Sequence, residues 1–312
     1  MKNNSLINKT DNELLKVIDN DTEEIRKDAY NIRKNSSTIE TKSTANIKIM
    51  SKKDKPGIDI YVKDNTEFGI INIPVIVTES GIDDKVYNDF YIGKNANVYI
   101  VAGCGICNLK NKDSKHSGIH RFFLEEGSKV KYIEKHYGTG SGKGKRILNP
   151  ETEFYLKENS TLEMDTSQIK GVDSTIRKTS GKILDNATLI IKEKIMTHGK
   201  QLAESSFDIK LEGENASSKV TSRSVATENS IQKFKSVVYG NAKCFSHTEC
   251  DAIIKDNAKV NAEPKIVANN VDANLIHEAA IGKIAGEQLI KLMTLGLSKK
   301  EAEEEIIKGF LN

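Results

Sequence analysis

The chain has 312 residues, 37% of them apolar, and its 47 Lys and Arg nearly balance its 44 Asp and Glu to leave a formal net charge of +3. That length buries a sizeable core, as roughly two domains or one elongated one, and the balanced charge gives no basic footprint for a nucleic acid. The N-terminus, MKNNSLINKTDNELL, lacks the apolar run of a secretory signal, and the longest apolar stretches, such as GIINIPVIV, fall far short of the ~20 residues that cross a bilayer, so the reading is a soluble, cytoplasmic protein with no membrane partner.

The first predicted element is helical. TDNELLKVIDNDTEEIRKDAYNIRK opens with Thr10 and Glu13 at capping-box spacing, and residues 1–44 are expected to form an N-terminal helical segment. A short phrase then recurs: VKDNTEFGI around Asn65, YIGKNANVYIV around Asn95, LEEGSKVKYI around Gly127 and LKENSTLEM around Asn159. It returns as ILDNATLII around Asn186, LEGENASSKV around Asn215, VYGNAKCF around Asn241 and IIKDNAKVN around Asn257. Each unit is an apolar strand, then a Gly or Asn that tolerates a left-handed turn, then an alternating strand.

The units follow at intervals of about 30 residues as far as Asn241, with a shorter last step. This predicts a mainly β protein whose core, residues 45–277, is a β-solenoid of stacked coils. A β-sandwich with regular turns is the alternative; the four prolines and the sameness of the turns favour the solenoid. Beyond the core, GEQLIKLMTL reads as a helix stopped by Gly296, and SKKEAEEEIIKGFL restarts with a second capping box, Ser298 to Glu301. Residues 278–312 are therefore expected to be a C-terminal helical segment, and the two helical segments are expected to cover the ends of the stack. In the last helix Ala302, Ile306 and Phe310 form one apolar stripe on a charged background.

The candidate chemistry begins at VAGCGICN. Cys104 and Cys107 form a C-x-x-C pair, which serves as a zinc half-site, an iron–sulfur half-site or a redox motif. A redox dithiol belongs at the start of a helix, and this pair follows a strand. His116 and His120 (KHSGIHRFF) share a strand face, and His136 stands in EKHYGTG; each is a candidate ligand or a structural histidine. GTGSGKGKR fails the Walker A pattern and is read as a flexible basic loop that could deliver Lys143 or Lys145 to a site. His198, next to a loop, is read as solvated.

CFSHTECDA brings Cys244, His247 and Cys250 within seven residues. On a regular strand Cys244 and Cys250 share a face and His247 points the other way. In a reducing cytosol such cysteines are more often metal-binding or catalytic than disulfide-bonded. Last, His277 and Glu278 sit where the β pattern gives way to helix, as ligands, as an acid–base pair or as a helix-entry cap.

These pieces, in this order, resemble the SufB/SufD family of the SUF iron–sulfur cluster assembly machinery. The matching stretches are VAGC with a downstream HSGIH, VKYIEKHYG, KGKR, CDAIIKDNAKVNAEP and IHEAAIGKIAGEQL…GLSKKEAEEEIIKGFL, from about residue 95 to the C-terminus. Residues 1 to about 90 match little, and the chain is most similar to the compact archaeal and anaerobe form. The resemblance implies a right-handed parallel β-helix, paired with a second copy through its C-terminal part. It also implies a SufC-like ABC-type ATPase partner docking on the C-terminal helices, with Ala302, Ile306 and Phe310 as the docking stripe.

Residue by residue, the resemblance makes Cys250 the essential C-terminal cysteine and Glu278 the acidic residue of the HEA element, beside His277. Cys104 matches the family's upstream cysteine, Lys145 falls near its KR lysine, and His136 replaces a usual glutamine on the same sulfur or iron path. Cys107 and Cys244 have no counterpart in the bacterial pattern and are read, with His247, as extra ligands of a transient iron–sulfur cluster. The implied function is a non-enzymatic scaffold, with ATP hydrolysis in the partner. The rival reading is a β-helix carbohydrate-active enzyme or acyltransferase. The first of these would be secreted, and the second needs a strict six-residue repeat that this chain lacks.

Overall fold

The computed structural model describes residues 7–18 and 25–311. Two long sheets face each other across a common interior. The first runs, in spatial order, β2 (Ser37–Lys42), β1 (Ala29–Lys34), β5 (Gly69–Val77), β7 (Asn97–Cys107), β9 (Lys129–Thr139), β12 (Thr161–Lys170), β14 (Thr188–Thr197), β16 (Ser217–Ala226), β18 (Phe245–Ile254) and β20 (Asn274–Gly282). The second runs β19 (Lys259–Ala268), β17 (Ile231–Gly240), β15 (Leu202–Leu211), β13 (Ser174–Ile183), β10 (Arg146–Leu148), β8 (Ser114–Leu124), β6 (Asp83–Ile92), β4 (Gly57–Val62) and β3 (Ile47–Ser51). In it β11 (Glu151–Leu156) lies beside β10, also between β13 and β8.

Successive coils pair in parallel, so that Val98 aligns with Val130 and Val130 with Leu162. The result is a β-solenoid of about eight turns. Parallel stacking puts equivalent side chains above one another, and a single apolar interior runs from Ala29 to Cys250. Antiparallel pairs, β1 with β2 and β3 with β4, finish the N-terminal end.

The repeated turns have the predicted physical basis. Asn65, Asn95, Asn159, Asn186 and Asn215 have φ between 52° and 57°, and Gly127 has φ 69°. Left-handed backbone is least strained for Gly and Asn. The Asn side chains also bond along the stack, Asn95 to Asn65 and Asn215 to Asn186. Asn241 does not adopt this conformation, and in the last unit Asp256 rather than Asn257 carries it.

The N-terminal segment departs from expectation. Helix α1 spans only Lys9–Val17, and its reciprocal cap joins Asn8 to Asp11, not Thr10 to Glu13. Residues 19–24 of the expected helix lie outside the described residues. By Ala29 the chain is already a strand, in parallel register with β5. All of Ala29–Arg33 is buried, Ala29 in the solenoid interior and Tyr30 and Ile32 in a second cluster with Ile25, and that tertiary gain outweighs the helix-like charge spacing of DAYNIRK.

Two C-terminal helices follow, α2 (Gly286–Thr294) and α3 (Lys299–Leu311). Gly296, at φ 97°, ends the first, and the Ser298–Glu301 capping box opens the second. They do not cover the end of the stack: α3 packs on the outer face of β16, and β19 and β20 remain as edge strands. No helix among the described residues is long and apolar enough to cross a membrane.

Candidate functional site

Cys250 lies on β18 facing the interior, 2% exposed, in register with Ser222 on one side and Ala279 on the other. Burial, with the charges of Glu193 and Asp251 added, pushes its thiol up to about 12. Cys244, just before the strand, packs in the same interior cluster with Phe234 and Val238, and burial raises its thiol too. All four cysteines are free and buried.

The residues gathered around Cys250 in the sequence divide between two faces of the wall. His277 aligns with Thr248 and stands on the inner side, its ring 6.3 Å from that of Phe234. Burial and nearby His247 lower its pKa. Its Nε2 lacks a hydrogen-bond partner, as do Thr248 Oγ1 and Ser236 Oγ in the same last coils. Glu278 points outward and is exposed, with its carboxylate 3.3 Å from His247 Nε2. The inner set is thus Cys250, Cys244 and His277, and the outer set is His247 and Glu278. Among the described residues, no group of three or more His, Cys, Asp or Glu side chains already stands in a metal-holding arrangement.

The C-x-x-C pair is not one site. Cys104 faces inward with Val75, Ile106 and Leu148, whereas Cys107 faces outward beneath α1 with Leu14, Leu15 and Ile18. The glycines of VAGCGIC explain the motif locally. A Cβ on Gly103 would meet Ile18 at 2.8 Å, and one on Gly105 would meet Leu14 at 3.3 Å, so the glycines let α1 lie flat on β7. The Lys145 side chain is exposed. The loop around it is hydrogen-bonded to the coil beneath, Gly142 N–H donating to the Asn108 carbonyl and Gly144 N–H to that of Lys110.

A buried charged network, which sequence reasoning missed, runs along the interior from Arg33 on β1, past Cys104, to Glu193 on β14. Arg33 forms two hydrogen bonds to Asp84, at 2.6 and 2.9 Å, and His116 Nδ1 lies 3.0 Å from the same carboxylate. Burial opposes the charge on Asp84, but the hydrogen bonds from Arg33 and His116 outweigh it and hold the carboxyl well below its ordinary range. Farther along, Tyr132 O–H donates to Glu134 at 2.9 Å, and Arg177 joins Glu134 at 2.6 Å to Glu193 at 3.6 Å. Ser205 and Ser222 donate to Glu193. His136 sits 3.5 Å from Glu134, and burial lowers its pKa. Strand parity was the available signal: in VKYIEKHYG, Glu134 and His136 take the inward positions that Val130 and Tyr132 begin.

On α3, Ala302 is fully buried, and Ile306 and Phe310 pack with Leu311 against Val225 and Ile253. The predicted stripe therefore attaches the helix to its own β-core. Of the two C-terminal helices, it is α2 and the residue after it that expose apolar side chains: Ile290, Met293 and Leu295.

Residues 90–310 match the family described as SUF system FeS cluster assembly, SufBD core domain. An iron–sulfur cluster assembly SufBD family protein of Methanocaldococcus jannaschii is 28% identical over 246 residues, covering 75% of this chain and 74% of that one. One from Pyrococcus horikoshii is 27% identical over 279 residues, covering 86% and 82%. The iron–sulfur cluster assembly protein SufB of Bacillus subtilis is 26% identical over 226 residues, 70% of this chain and 47% of that protein.

Proposed function

This chain belongs to the SufBD family of the SUF system, which acts in iron–sulfur cluster assembly, and from that premise we propose that it is the scaffold on which a nascent cluster is built and then handed on. The observation that supports this most is the position of Cys250, a buried thiol in the last coils beside polar atoms that lack partners, at the open edge of the stack. The cluster is cargo. Cys250 holds it through sulfur, with Cys244 and His277 on the same inner face, while His247 and Glu278 on the outer face hold iron on its way in or out. Nitrogen and carboxylate ligands release iron more readily than thiolate, which suits a protein that passes its product on. Cys104, Cys107, His136 and Lys145 complete the proposed set on a sulfur or iron path.

A second copy pairs through the exposed edges of β19 and β20, bringing two such sites together. The energy input comes from a SufC-like ABC-type ATPase, bound by the segment 278–312. In this reading Ile290, Met293 and Leu295 offer the contact surface, while Ala302, Ile306 and Phe310 fix α3 so that movement of the ATPase reaches the β-core.

The test is iron and sulfide content after anaerobic reconstitution. Cys250→Ser is expected to lose most of both, because serine keeps the volume but is a poor iron ligand, while the far-UV spectrum stays that of an intact β-core. Undiminished iron and sulfide in that variant would remove Cys250 from the site.

A further inference from the structure

Away from Cys250, the solenoid interior contains a cavity of about 20 Å³ lined by Cys104, His116, Gly118, His120, Glu134 and His136, room for a single water or ion. His116, Gly118 and His120 alternate along β8 and all face inward. Because Gly118 has no side chain, the two imidazoles share the space above it. A Cβ built there would lie 3.1 Å from His120 Nε2 and 3.4 Å from His116 Nε2.

Hydrogen bonds fix which nitrogen of each ring is free. The Asp84 carboxylate accepts from His116 Nδ1–H, leaving the lone pair of the neutral ring on Nε2. Tyr132 gives its one proton to Glu134, so its oxygen accepts from His120 Nδ1–H at 2.8 Å, and the His120 lone pair is likewise on Nε2. Among the described residues, His120 Nε2 meets one other polar group, Asn88 Nδ2, in a long 3.3 Å contact that an arriving metal displaces. Imidazoles whose far N–H is held by a carboxylate, or by a phenol on a carboxylate, have the outer partners typical of metal-ligating histidines. Among the described side chains, the interior network also sets Arg33 and Arg177 against Asp84, Glu134 and Glu193, a surplus of negative charge in a low-dielectric space. Beside the cavity the sheet wall is interrupted between β10 and β11, at Asn149 and Pro150.

We propose that this cavity is a binding site for one divalent transition-metal ion of the Fe²⁺ or Zn²⁺ class, held by His116 Nε2, His120 Nε2 and the sulfur of Cys104. Both nitrogens stand ready at the same space. The third donor comes from the Cys104 side chain turning within the cavity, and its thiol proton leaves to solvent as the metal–sulfur bond forms. The site is separate from Cys250 and does not depend on the cluster reading.

The experiment uses Co²⁺ as the probe on the full-length Cys250→Ser chain, so that loss of the cluster site cannot be mistaken for loss of this one. One cobalt per chain is expected, with X-ray absorption showing imidazole nitrogen and one sulfur. Gly118→Ala keeps every donor but fills the space, and is expected to weaken binding at least ~10-fold. His116→Gln with His120→Gln is expected to abolish it, and Cys104→Ser to keep cobalt while losing the thiolate charge-transfer band. No cobalt uptake by the Cys250→Ser chain, or cobalt without imidazole ligation, would overturn the site whatever the other variants do. So would unchanged affinity in Gly118→Ala, which would place the metal elsewhere, such as on His247 and Glu278.

Discussion

At neutral pH the Cys250 thiol is protonated, since burial together with Glu193 and Asp251 pushes it up to about 12. A thiolate ligand is then generated by the arriving metal, which supplies the positive charge that the interior lacks at this point. Alkylation of the metal-free chain by iodoacetamide should accordingly be slow at pH 7 at this residue. The sign follows from the direction of the shift: the reactive thiolate fraction grows with pH and keeps rising past pH 9 without a plateau. Mass-spectrometric labelling of Cys250 against pH checks this, and a plateau by pH 8 would contradict it. That Cys250 shares a face with Cys244 was legible from strand alternation, and both do line the interior. The surroundings of Cys250 were not, since Ser222 aligns with it from the neighbouring strand and the charge of Glu193 acts on it from a coil farther away, at separations that a linear reading does not connect.

For the elements, the turns were the most readable feature, because a left-handed backbone restricts residue choice strongly. Asn65, Asn95, Gly127, Asn159, Asn186 and Asn215 announced themselves, whereas Glu228 adopts φ 59° without any such signal. Spacing was misleading where a local pattern served packing. The C-x-x-C of β7 reads as a ligand pair, yet strand alternation sends Cys104 inward and Cys107 under α1. The apolar stripe of α3 reads as a partner surface, yet Ala302, Ile306 and Phe310 meet the chain's own β-core. Phe310→Asp places a charge against Val225 and Ile253 and should cost about 2 kcal/mol of helix docking. The expected outcome is faster amide exchange confined to α3, together with lost co-purification of the ATPase. Wild-type capture of the ATPase by a variant whose α3 exchanges freely would show that docking does not run through this helix.

On the scale of the whole molecule, the fold class followed from repetition alone, while its closure did not. Helices at both termini suggested end caps, but α1 lies on the flank over β7 and α3 on the flank over β16, leaving β19 and β20 as edges. The separation of His247 and Glu278 from Cys250 and His277 also emerges only with the wall in place. The central claim is that the chain builds a cluster in order to give it away, and the most direct measurement is transfer. Reconstituted protein is mixed anaerobically with an apo ferredoxin-type acceptor in the presence of an iron chelator, and the acceptor's own cluster signal is followed. The scaffold account predicts that the acceptor gains its cluster in near-full yield despite the chelator, and that Cys250→Ser donates none. A cluster that stays on this chain, or that reaches the acceptor only as free iron intercepted by the chelator, would contradict it.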